Sequence, residues 1–289
     1  MKSTMSPKNE RQYYIDWIRI LLILTVFIFH IGMVFNPYEW HIKNDQQFTG
    51  LAPVMSFLHQ WRMPLLFLIS GTGTHFALGR RTPGQYLGER FRRLIIPLIF
   101  GIFVLVPVQV YYERINLYDS LPHYYLHMFD GVYPQGNFSW HHLWFIVYLF
   151  LISLFISPFL QTMKNNSFKK IQYKLERLAS ERLGMNVVLI PLVVSQVLLK
   201  PLFPEETHDV VNDWAFISFN MIFLLAGFLL FVNPKIVHSV MVQRRWYLSE
   251  AVIAATLFFM PFEKILGGTI AGMIVNIVVA WAWAMVVMG

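Results

Sequence analysis

Apolar runs of about 20 residues recur along the whole of this 289-residue chain, separated by short polar segments. Each is long enough to cross a hydrocarbon layer of about 30 Å as a helix. Read against their flanks, they predict about eight transmembrane helices, near 14–35, 51–78, 94–112, 141–162, 185–203, 214–233, 247–262 and 265–288. No repeat of fixed period, low-complexity tract or Gly/Ser linker marks a boundary, so an all-α, polytopic integral membrane helix bundle forming one domain over residues 1–289 is expected. The first run carries Arg19 and closes on Met33-Val34-Phe35-Asn36-Pro37, where a cleaved leader would have small residues. It reads as a retained span.

Composition narrows the class further. Only 13% of residues are charged and 56% are hydrophobic, which excludes an ordinary soluble enzyme. The net charge of +7 would suggest nucleic acid in a soluble protein, but here the cations have another explanation. The N-terminal tail and the segments after spans two, four and six hold 17 of the 23 Lys and Arg residues. The connection from Pro204 to Asp213 holds Glu205, Glu206, Asp209 and Asp213 and no cation. The alternation predicts a cytoplasmic N-terminus and no role for nucleic acid. Without cysteine the chain has no disulfide, thiolate metal site or cysteine nucleophile.

Charged groups inside spans cost about 2.5–3.5 kcal/mol each near the bilayer centre, so each calls for a partner or a task. Arg19 and His30 are eleven residues apart, about three helical turns plus 20°, and so mark one face at two depths. Arg19 could instead snorkel or pair with Asp16, and His30 could be a packed histidine. His59 and Arg62 share a side of span two just ahead of Pro64, where a kink or water-lined pocket is expected. A deep guanidinium facing a cavity suits a carboxylate, phosphate or oxyanion; a structural ion pair is the plain alternative. Arg90, Arg92 and Arg93 crowd one helix entrance, either as a topology signal or as a phosphate site. His123 and His127 have the spacing of a helical metal pair, but no third ligand is evident and no metal is expected.

Four elements in order resemble the membrane acyltransferase-3 family. Arg19 and His30, separated by ten residues, are similar to its first-helix motif, and Phe67-Leu68-Ile69-Ser70-Gly71 to its Ser-Gly element. Arg90-Phe91-Arg92-Arg93-Leu94-Ile95-Ile96-Pro97 resembles its arginine motif, and His142-Leu143-Trp144-Phe145 its helix-four signature. Asp16, the stretch from His59 to Met63 and the basic loop after helix four look most like its periplasmic glucan succinyltransferase branch. Family members have about ten or more spans, and this chain stops within the uncharged run Ile265 to Gly289, so it is expected to lack the family's last helices.

The resemblance implies transfer of an acyl group, succinyl or acetyl, from cytoplasmic acyl-CoA to a hydroxyl of an extracytoplasmic carbohydrate, in a bacterial inner membrane with the lipid bilayer as its surroundings. It casts His30 as general base or transient acyl acceptor and Arg19 and Arg62 as electrostatic stabilisers of the acyl carbonyl. Arg90, Arg92 and Arg93 would hold the donor, and His59, Ser70, His142 and Trp144 the substrates. A transporter of an anionic or glycan-related solute, or a non-catalytic membrane subunit of a glycan-synthesis complex, are the competing readings.

Overall fold

The computed structural model describes residues 12–162, 168–260 and 268–289. Lys2, Lys8 and Arg11 of the basic N-terminal tail, Lys164 of the basic segment after span four, Glu263 and Lys264, and the junction of the last two spans lie outside the described residues. Most of the described residues are helical: α1 (Tyr13–Phe35), α2 (Ala52–Arg80), α3 (Pro83–Glu113), α4 (Leu121–Leu126), α5 (Trp144–Thr162), α6 (Lys169–Ser180), α7 (Leu189–Leu199), α8 (Trp214–Leu230), α9 (Pro234–Val242), α10 (Arg244–Phe259) and α11 (Ile270–Met288). Among the described residues there is no strand, only an isolated bridge between Val132 and Phe138.

Four helices among the described residues are long and apolar enough to cross a membrane: α1, α3, His141–Thr162 and α11. The pair α8 and α9, bent by 104°, makes a fifth if it counts as one span. By length and composition the expected eight are therefore not all reached. The span near 185–203 is a short apolar helix, Gly184–Leu199. α10 has only 16 residues, and α2, though 29 residues long, carries His59, Gln60 and Arg62.

α2 is the axis of the bundle. From Arg62 to Ile69 every residue is buried, whereas α1 leaves Ile20, Leu21, Leu24, Phe27 and Ile28 exposed, as a lipid-facing helix would. The widest packing of α2 is against α8, and glycines permit it. A Cβ on Gly71 would lie 1.9 Å from the Leu224 carbonyl oxygen, and one on Gly227 1.8 Å from that of Leu68. Small residues let membrane helices approach to backbone contact, which is the physical content of Gly71 in the Ser-Gly element.

α3 is widened in two places. Pro97 and Pro107 have no N–H to donate to the turn before them, and π turns occupy Phe91–Ile95 and Gly101–Leu105 just ahead of each. The first π turn contains Arg92 and Arg93 and so sets the direction of the arginine motif.

Candidate active site

A cavity of about 1510 Å³ runs beside α1 and α2. On α1 its lining reaches Ile15 at one extreme and Met33 at the other, a rise of about 27 Å at 1.5 Å per residue, close to the thickness of a hydrocarbon layer. Asp16, Arg19, Arg80, Arg81, Arg90 and Arg93 line its basic end, and Trp40, His41, His141, His142 and His208 its histidine end.

His30 stands toward the histidine end. Its Nδ1 lies 2.7 Å from the Val26 carbonyl oxygen, which can only accept, so Nδ1 carries the proton and Nε2 presents a lone pair. Trp40 and His142 flank the imidazole at ring separations of 5.6 and 6.2 Å. His142 is itself held through Nδ1 by Gln109 Oε1 at 2.8 Å.

Arg62 is 5% exposed, with its guanidinium carbon 3.3 Å from the centre of the Phe29 ring. Its Nε and Nη1 have no hydrogen-bond partner. Buried donors are rarely left without partners, and a guanidinium presents its donors as a planar fork suited to an oxyanion. His59, one turn away, meets Glu206 at 3.3 Å. Burial alone would raise the Glu206 carboxyl, but the hydrogen bond and charge of His59, with Lys200 and His208, hold it below the usual carboxylate range.

The loop bearing Glu206 is pinned over the cavity. Trp140 Nε1 donates to the His208 carbonyl at 2.8 Å, and the His208 ring stacks on Trp144 at 4.6 Å and 11°. Asp213 accepts from the Tyr148 hydroxyl at 2.6 Å and from the His208 N–H at 3.1 Å. Burial lifts the Asp213 carboxyl to about 6 despite the Tyr148 bond. The sequence counted Glu206 and His208 only as parts of an acidic connection or not at all; the clue to them was four acids without a cation in a segment beside Trp140 and Trp144.

The cavity gathers Arg19, His30, His59, Arg62, Ser70, Arg90, Arg93, His142 and Trp144 on its walls. Arg19 sits 3.5 Å from Asp16, the pairing considered from sequence. Arg92 is exposed and outside the lining. Arg90 faces inward but is largely engaged. Its Nε donates to the Tyr86 hydroxyl at 2.9 Å, and its Nη2 lies 3.0 Å from Thr74 Oγ1 and 3.3 Å from the Ser70 carbonyl.

A helical bundle perforated beside α1, with a lone-pair imidazole near a buried guanidinium, defines a membrane-embedded group-transfer or solute-handling protein. The acyltransferase domain family matches residues 12–289, and the chain belongs to that family. It is 24% identical over 262 residues to the glucans biosynthesis protein C of Escherichia coli O139:H28 (strain E24377A / ETEC), covering 89% of this chain and 60% of that relative. The protein of the same name from Escherichia coli K12 is 25% identical over 162 residues, 54% of this chain and 41% of the relative. The chain thus spans roughly two fifths to three fifths of the length of these curated relatives. No solved structure matches.

Proposed function

We propose that this protein is an O-acyltransferase of the bacterial plasma membrane, with the N-terminus of α1 in the cytoplasm. The acyl group, succinyl or acetyl, comes from acyl-CoA at the basic end and passes to a carbohydrate hydroxyl at the histidine end. One observation carries the reading: a single cavity joins Arg81, Arg90 and Arg93 to the lone-pair nitrogen of His30 and to Arg62. The names of the relatives support a glucan-type acceptor.

In this reaction the acceptor oxygen attacks the thioester carbonyl, a C–O bond forms and the C–S bond breaks. His30 Nε2 takes the hydroxyl proton and returns it to the departing thiolate, or first accepts the acyl group itself. The free donors of Arg62 face the oxyanion of the tetrahedral intermediate, where preorganised donors are worth most. At the basic end Arg93, exposed in the cavity, holds the coenzyme phosphates, while Arg81 and Arg90 fasten the wall that carries it. A continuous cavity would equally serve an anion path, so the test must separate chemistry from passage.

His30→Gln retains hydrogen bonding and approximate size but can serve neither as base nor as nucleophile. Acylated glycan per unit of membrane-inserted protein should fall at least about 100-fold, the low end of what a general base contributes. Near-parental acylation by His30→Gln would remove His30 from the mechanism. The orientation is checked separately in this cysteine-free chain. A cysteine at Glu206 should react with an impermeant thiol reagent in intact cells and one at Gln85 only after lysis; the reverse pattern overturns it.

A further inference from the structure

Three segments far apart in sequence meet at the histidine end: the turn after α1 brings His41, the last residue of α3 is Glu113, and the short helical turn before α5 brings His141. One ligating atom of each lies within 4.8 Å of the other two, the one such grouping of three among the described residues. Glu113 Oε2 stands 3.3 Å from His141 Nε2 and 3.5 Å from His41 Nδ1. Ligands about 2.1 Å from a tetrahedral ion stand about 3.4 Å from each other, so two edges of the trio already have the length a shared ion imposes.

The surroundings of the trio are those of a built site. The other carboxylate oxygen, Oε1, accepts from the Tyr133 hydroxyl at 2.9 Å. Ser139 Oγ lies 2.8 Å from His141 Nδ1; with the proton on Nδ1, Nε2 is left as a ligand. The same hydroxyl accepts the His141 backbone N–H at 2.8 Å, and His141 holds a left-handed φ of 42° with no side-chain exposure. A non-glycine residue in that region costs about 1–3 kcal/mol, so the local fold works to keep the ring aimed at Glu113. The neighbouring cation, Arg114, directs donors to Asn137 Oδ1 and the Pro134 carbonyl. His41, Tyr133, Ser139 and His141 line the cavity, which gives an ion a way in. By contrast His123 and His127, the pair noticed in the sequence, each face an aspartate of their own, Asp119 and Asp130.

We propose that His41, Glu113 and His141 bind one divalent transition-metal ion of the zinc type at the rim of the cavity, with a fourth position left for water or another oxygen ligand. Two imidazoles with one carboxylate favour zinc and its neighbours over calcium or magnesium. The ion ties the turn after α1 to the end of α3 and the start of α5. This assignment is independent of the acyl-transfer reading.

The test uses the full chain in detergent, purified with a histidine-free tag, stripped with a chelator and titrated with Zn²⁺ against a competing indicator. One equivalent of zinc should bind and raise the melting temperature, and Co²⁺ in its place should show the intense visible bands of a four-coordinate ion. Glu113→Gln and His141→Ala should each weaken zinc binding about 100-fold or more, and Tyr133→Phe about 10-fold as a partner of a ligand. His123→Ala combined with His127→Ala should leave binding unchanged. His41→Ala, at a position about as exposed as Glu113, repeats the measurement should the buried His141 variant fail to fold. A parent chain with no zinc uptake and no thermal shift overturns the proposal. So does zinc binding lost with His123 and His127 but kept by the trio variants.

Discussion

At the basic end of the cavity Arg81 meets Glu89 at 2.6 Å and Arg90 divides its donors among Tyr86, Thr74 and Ser70. At the histidine end Arg62 is buried with two donors unbonded, although Glu206 lies in the adjoining wall and takes His59 as its partner. The first arrangement resembles ordinary helix joining, since each group is satisfied and α2 is fastened to α3. The second leaves polar capacity unused where leaving it unused is expensive. Charges of one sign within one cavity therefore divide into those that hold the bundle and those kept for something else.

Arg62 offers the sharpest test of that division. If its free donors serve the oxyanion, Arg62→Met should lower acyl transfer about 10²- to 10³-fold, the range for losing one such donor. Arg62→Lys should recover little, because an ammonium cannot present a planar pair of donors. Melting of the detergent-solubilised Met variant should be unchanged or higher, since a poorly satisfied buried charge has been removed. A Met variant with parental transfer would make Arg62 a packing partner of Phe29 and erase the contrast between the ends.

The sequence was most informative where a cost could be read from one residue and its neighbours along a helix. Arg19, His30, His59 and Arg62 were visible because charge inside an apolar run is expensive, and helical spacing placed Arg19 and His30 on one face, where both line the cavity. The helical class followed from run lengths, but the number of crossings did not. α2 is long yet polar near its start, and α8 and α9 bend at Asn233, so composition and length part company. What the sequence left hidden depends on chain return. Glu206 reaches His59 across 147 positions, and Glu113 meets His41 and His141 only after α3 and the loop behind it have folded. No local periodicity carries those meetings. The motif Arg90-Phe91-Arg92-Arg93 shows a subtler limit, because three like residues in four positions read as one cluster until a π turn separates their directions.

That separation yields the smallest expected effects and the finest test of the comparison. Arg90→Lys loses the Nε bond to Tyr86 and part of the contact with Thr74 and Ser70, so it should lower stability by about 1–2 kcal/mol, at about 1 kcal/mol per bond, and the melting temperature by a few degrees. Arg93 lines the cavity with its side chain 78% exposed and only a 4.0 Å approach to Glu89. Arg93→Lys should leave melting unchanged and weaken coenzyme A binding several-fold, since a point charge replaces a bidentate fork. Arg92→Lys should change neither, because Arg92 lies outside the lining. Melting curves and coenzyme A titrations on the three variants decide the matter. Loss of donor affinity in Arg90→Lys at unchanged melting would make Arg90 a binding residue after all, and the basic end would then keep its arginines for ligand just as the histidine end does.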